Sequence, residues 1–150
     1  MPWDGYLSLR SQFQIASRTL PSSEQFQLGG ANSVRGYPEG DYLCDTGAHL
    51  NADWVMPMYL IPKEWKLSGS DIPLRHQIEP VIFADIGGRG QKKMIGGERR
   101  GKFLAGAGGG LRIRFFNKIS CRLEWARRVG NRPTSGSGPS SFYITFQSEI

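Results

Sequence analysis

The chain has 150 residues, enough for one domain, with 19 Lys and Arg against 13 Asp and Glu and a net charge of +6. Its longest apolar run, "WVMPMYLIP", falls well short of the roughly 18 residues a transmembrane helix needs and is broken by Pro57, which excludes that class of membrane protein. A membrane β-barrel is not excluded, because alternating strands average out to a polar composition.

Period-two alternation recurs along the chain. In 4–16, Leu7, Leu9, Phe13 and Ile15 share one face, and Ser8, Arg10, Gln12 and Gln14 the other. The stretch 17–45 reads as a long connection, neither strand nor helix, with glycine-rich bends on either side of Arg35. Loops of that length are usually functional or disordered. In 46–56, Ala48, Leu50, Ala52, Trp54 and Met56 oppose His49, Asn51 and Asp53. In 77–87, Ile78, Ile82, Ala84 and Ile86 oppose Gln77, Glu79, Phe83 and Asp85. Leu111, Ile113 and Phe115 oppose Arg112 and Arg114 in 104–115. A short link, "FNK" at 116–118, leads to 119–126, where Ile119, Cys121, Leu123 and Trp125 oppose Ser120, Arg122, Glu124 and Ala126. In the last stretch, 142–150, Phe142, Ile144, Phe146 and Ile150 oppose Tyr143, Thr145, Gln147 and Glu149. No comparable window keeps a helical period, so the expectation is an all-β, antiparallel chain of about six strands.

Several strands run to about ten residues, the length that crosses a bilayer, and their polar face carries large charged side chains. Long connections at 17–45, 88–101 and 128–141 contrast with the three-residue link at 116–118, although 61–74 is also long. Long loops on one side and short turns on the other are the asymmetry of outer-membrane barrels. The final strand stays apolar on alternate positions to its end, as a strand closing a barrel seam does, where a soluble edge would carry charge or Pro. The net positive charge could suit a soluble nucleic-acid-binding β-protein, but the basic run "RGQKKMIGGERRGK" is one loop without interleaved aromatics, and the other arginines lie on strand faces. No nucleic-acid partner is expected.

Two motifs then stand out. Val34, Arg35, Gly36 and Tyr37 form VRGY within 17–45, and "FADIG" places Phe83, Asp85 and Gly87 in an FxDxG pattern downstream. With "GAGGGLRIRF" and "CRLEWARRVG" following, the chain resembles the sixth extracellular loop and later strands of the BamA-like outer-membrane superfamily. It is most similar to the two-partner secretion transporters of the haemolysin-activator (TpsB, ShlB-FhaC) type. Cys44 stands where that family often has glycine, and Ile150 where its last residue is usually Phe. The resemblance implies a bacterial outer-membrane transmembrane β-barrel of sixteen strands preceded by POTRA domains. Residues 1–150 would be its C-terminal segment, Met1 an internal or mispredicted start, and the upstream strands and POTRA domains absent. That fits an N-terminus, "MPWDGY", without a basic n-region or apolar h-region.

The resemblance further implies that the loop folds into the lumen and that Arg35 meets Asp85. Alternation places Phe83 and Asp85 on the same side as Arg112, Arg122 and Glu124, a candidate lumenal charge network. Arginine's planar fork suits a carboxylate. The expected device is a latch, with Phe83 and Tyr37 packed beside the pair and Glu124 as a second partner. The implied function is translocation of a secreted polypeptide without nucleotide hydrolysis. The partners are that polypeptide, outer-membrane lipid and the barrel assembly machinery acting on strand 142–150. Alternatives are a BamA-like assembly insertase and the barrel anchor of a surface enzyme such as a patatin-like lipase.

No catalytic constellation is present: no GxSxG, no Cys–His pair, and nothing fixing a separation among Asp45, Asp53 and Glu79. "GAGGGL" has Leu111 where GxGxxG needs its third glycine, so its small residues are expected to leave lumen space or permit strand curvature. His49 and His76 lack metal-ligand spacing, and Cys44 and Cys121 read as unpaired thiols. No metal or cofactor is expected.

Overall fold

The computed structural model describes residues 4–66, 72–90, 101–115, 119–133, 136 and 138–148. Six long strands, β1 (Tyr6–Gln14), β4 (Thr46–Val55), β5 (Ile78–Gly90), β6 (Gly101–Phe115), β7 (Ile119–Arg128) and β8 (Ser140–Ser148), form one antiparallel sheet in the order β1-β4-β5-β6-β7-β8. They are 9 to 15 residues long, enough to cross a bilayer's hydrocarbon layer. Among the described residues β1 and β8 are each paired on one side, and the sheet is open rather than closed into a ring.

Sequence reading is corrected at several points. The connection 17–45 contains a small two-stranded sheet, β2 (Phe26–Leu28) against β3 (Tyr42–Cys44), paired Phe26 to Cys44 and Leu28 to Tyr42. Gln77 ends a single helical turn, α1 (Leu74–Gln77), and the strand begins at Ile78. Paired strand also extends into 88–90 and 101–103, so the connection there is shorter than 88–101. The link 116–118, the basic run 91–100, and Glu149 and Ile150 of the last strand lie outside the described residues.

Burial is inverted relative to a water-soluble protein. Leu7, Leu9, Phe13, Ile15, Trp54, Ile82, Ile86, Trp125, Phe142, Ile144 and Phe146 are exposed, Phe13 by 75% and Phe146 by 74%. Arg35, Asn51, Asp53, Asp85 and Glu124 are buried on the other face. A continuous apolar sheet face has no counterpart in a soluble monomer, whereas a barrel in lipid requires it. The apolar cluster Phe26, Leu28, Val34, Tyr37, Tyr42, Cys44 and Leu104 draws six of its seven members from the connection 17–45 and packs on the polar face. The connection is thus a folded plug against the sheet. Burying each of its larger apolar side chains contributes about 1.5–3 kcal/mol.

Candidate functional site: a buried arginine gripped by three strands

Register aligns the polar face into rows. One row runs Arg10, Asn51, Asp85, Gly106, Arg128 across β1, β4, β5, β6 and β7. The next runs Ser8, Asp53, Phe83, Gly108, Ala126, and the next Tyr6, Val55, Val81, Gly110, Glu124, with Tyr143 of β8 beyond it. Carboxylates on β4, β5 and β7 therefore occupy neighbouring rows of one wall, around a patch where β6 contributes only glycine.

Arg35 fills that patch. Its Nε donates to Asp85 Oδ2 and its Nη2 to Asp85 Oδ1, both at 2.7 Å, the fork-to-carboxylate geometry. Nη2 also donates to Asp53 Oδ1 at 2.5 Å, and Nη1 to Glu124 Oε1 at 3.1 Å. The backbone N–H of Arg35 donates to Asp85 Oδ2 at 3.0 Å. The Phe83 ring lies 3.5 Å from the guanidinium carbon, a cation–π contact. Arg35 is 0% exposed. Burial opposes its charge, but hydrogen bonding and attraction to Asp85 and Asp53 more than offset that and hold its pKa above arginine's ordinary value.

Phe83, Asp85 and Gly87 thereby acquire distinct physical roles. Phe83 stacks on the guanidinium and Asp85 binds it, while a side chain on Gly87 would run into Val34 Cγ2 at 2.7 Å. Gly36 turns the chain at φ +95°, in the left-handed region open to glycine. Val34 and Tyr37 are fully buried in the plug. The Tyr37 hydroxyl donates to the Asn131 carbonyl at 2.8 Å, and its ring meets Tyr42 edge-on. Arg112 donates to Asp53 Oδ2 at 2.5 Å, joining the cluster through the same carboxylate. Arg122 lies on the polar face, where Glu124 attracts it, but no hydrogen bond or ion pair joins it to Arg35's partners among the described residues.

Sequence reasoning missed four participants. Asn51 donates to Asp85 Oδ1 at 2.8 Å and to the Ser33 carbonyl, and is itself bonded to His49. Asp53 is the second carboxylate on the arginine. Tyr143 accepts from the Gly36 N–H at 3.0 Å and donates to the Tyr37 carbonyl at 2.8 Å, tying the loop tip to β8. Tyr42 donates to the Arg132 carbonyl. Asn51 and Asp53 carried one signal, their place on the polar side of an alternating strand; the two tyrosines carried none that pointed to the loop.

Residues 4–113, well over half of the chain, match the family of the haemolysin secretion/activation protein ShlB/FhaC/HecB. The chain belongs to this family. No curated protein and no solved structure matches it. ShlB/FhaC/HecB proteins are bacterial outer-membrane transporters of two-partner secretion, with a secreted polypeptide as substrate. The sheet described above is a portion of their barrel, and its apolar face and buried polar face fit that setting. The match spans Arg35, Asp53 and Asp85, while Glu124 and Tyr143 lie beyond it.

Of the remaining residues in this ShlB/FhaC/HecB-family chain, His49 contacts Asn51 and Gln12. Asp45 accepts from the Leu20 N–H and from Gln25. No group of metal-ligating side chains occurs among the described residues. Cys44 and Cys121 are free and buried. Burial in the plug pushes the Cys44 thiol up to about 11. The thiolate is the reacting form, so a maleimide at neutral pH is expected to leave Cys44 unmodified for as long as the plug stays docked. In a Cys121→Ser background, labelling only after denaturation is the expected result; labelling of the native protein as fast as that of a free thiol would show that the plug spends its time undocked.

Proposed function

We propose that this sheet lines part of the path of a secreted polypeptide and that residues 17–45 are a latch held in the lumen by Arg35. The carrying observation is that one fully buried guanidinium joins carboxylates from β4, β5 and β7. Loop position and the curvature of the wall are then set together. A buried ion cluster is poor evidence for net stability, because desolvation cancels much of the attraction, but it suits selection of one arrangement over others. Release of the arginine would free the plug and loosen three strands at once, which is what passage of a chain requires. No step calls for nucleotide hydrolysis.

The family match supports secretion over the BamA-like insertase and over the anchor of a surface enzyme such as a patatin-like lipase. The reading extends to residues 1–150 as the C-terminal portion of a larger barrel, supported by the unpaired outer edges of β1 and β8 among the described residues. Open edges in lipid leave backbone groups unsatisfied. Outer-membrane lipid is the natural partner of the apolar face, and the alternating strand β8 the natural contact for barrel assembly machinery.

Arg35→Glu in the intact transporter puts four carboxylates in one buried patch. Secretion is expected to fall to background while the protein still reaches the outer membrane, as judged by fractionation and extraction. Wild-type secretion by that variant would sink the latch.

A further inference from the structure

Beyond the latch, toward the end of the sheet where 116–118 links β6 to β7, the wall changes character. Arg112 and Arg122 stand directly opposite each other in the β6–β7 register, and Arg114 lies two residues along on the same face. With Arg10 of β1 they line a cavity of about 450 Å³ that also includes Ser120 and Gln147. Like charges directly across a strand pair repel, and the wall's reduced dielectric strengthens that repulsion. The carboxylates of the lining are already committed, and Glu124, which attracts Arg122 from outside the lining, is itself held by Arg35. Asp53 is shared by Arg35 and Arg112, with Arg10 at 3.6 Å, and Glu79 takes Arg114 at 2.6 Å. Arg122 has no hydrogen bond or ion pair among the described residues, and Arg112 Nε is buried without a partner. Four guanidinium groups of the lining thus face its two carboxylates, an excess of two positive charges among the lining residues.

We propose that this cavity binds acidic side chains of an extended polypeptide. The spacing selects that ligand class. Arg112 and Arg114 repeat every second residue along one strand face, about 6.6–6.8 Å apart, and an extended chain lying along the strand presents its own side chains at the same interval. Ser120 and Gln147 supply neutral hydrogen-bonding groups between the charges. Asn32 of the latch loop forms another part of the lining, so an occupant lies against the latch. A carboxylate that draws Arg112 from Asp53 also alters the grip on Arg35, since both use that one group. The inference rests on the reading that this wall faces a polypeptide path.

The test is fluorescence anisotropy of a labelled oligoglutamate peptide with the intact protein extracted from the outer membrane in detergent. Oligoglutamate is expected to bind in low salt and to weaken as salt rises, while oligolysine of equal length does not bind. Arg122→Gln is expected to raise the dissociation constant about tenfold, the loss of one charge-assisted contact. Arg122→Lys, which keeps the charge, should recover most of the affinity and shows that the fold tolerates change there. Unchanged affinity in Arg122→Gln overturns the proposal. So does displacement of the peptide by inorganic phosphate as effectively as by unlabelled oligoglutamate, which would mark a general anion site. If Arg35→Glu secretes normally while oligoglutamate binding still depends on Arg122, the latch reading falls and the acidic-segment site stands.

Discussion

Asp85→Ala is expected to release the lumenal plug without unfolding the sheet. Asp85 accepts four hydrogen bonds, from the Arg35 N–H, Nε and Nη2 and from Asn51 Nδ2, at 2.7 to 3.0 Å. Removing it leaves a fully buried guanidinium and a buried backbone N–H short of acceptors. Breaking a buried pair from one side costs about 3–5 kcal/mol, or a rise of about 10²–10⁴ in the opening equilibrium of the plug. The measurement is the rate of maleimide modification of Cys44 in a Cys121→Ser background, because that thiol is reachable only when the plug opens. Glu124→Gln supplies the contrast. It loses charge at a single 3.1 Å contact while keeping an oxygen acceptor, so the expected cost is about 1 kcal/mol and the rate increase about fivefold. If Asp85→Ala labels no faster than the parent, the apolar cluster alone holds the plug and the ion cluster has another purpose.

The second large effect is expected from a single methyl group at Gly106. A Cβ there would overlap the carbonyl oxygen of Arg35 and approach its carbonyl carbon at 3.0 Å. Both are main-chain atoms, so no rotamer change relieves the contact, and the loop segment itself must move. Overpacking usually costs about 1–3 kcal/mol, and Gly106→Ala should lie at the upper end. Faster Cys44 labelling and reduced secretion are expected together, with Gly106→Val more severe. Gly109→Ala is the control on the same strand: it lies on the apolar face, where the new Cβ meets Val81 O at 3.2 Å and Ile82 Cγ2 at 3.8 Å. That variant should label and secrete close to the parent. Equal behaviour of the two alanine variants would show that Arg35 does not depend on its close approach to β6.

Alternation made the sheet legible, because a strand with lipid on one side and a polar lumen on the other has an exact period of two. Leu7, Trp54, Ile82, Trp125 and Phe142 were assigned to the apolar side on that basis, and all five are exposed there. Register was not legible. Asp53 could be placed on a polar face, but nothing local says that it stands between Asp85 and Glu124, one row from each; that follows from pairing across four strands. The β2–β3 hairpin was hidden because each strand is only three residues, set in a run of Gly, Ser and Asn that reads as turn. Tyr143 looked like any polar residue of an alternating strand, since its hydroxyl serves a loop more than a hundred residues away. Arg35 and Asp85 came to notice as a pair through two resembling motifs, not through any physical signal in either segment.

The plug's apolar cluster has a consequence for how this molecule comes apart. The strands face hydrocarbon, where there is no water to expel and the burial of leucine against lipid gains little. The cluster of Phe26, Leu28, Val34, Tyr37, Tyr42, Cys44 and Leu104 instead sits on the aqueous side, where solvent release drives assembly as it does in an ordinary soluble core. One chain thus contains two parts that answer to different solvents. Agents that act through water, such as urea or a change of temperature, bear first on the plug, while the sheet answers to the thickness and composition of the membrane. Opening the lumen and dismantling the wall are then separate thermodynamic events, and the first can occur many times without the second.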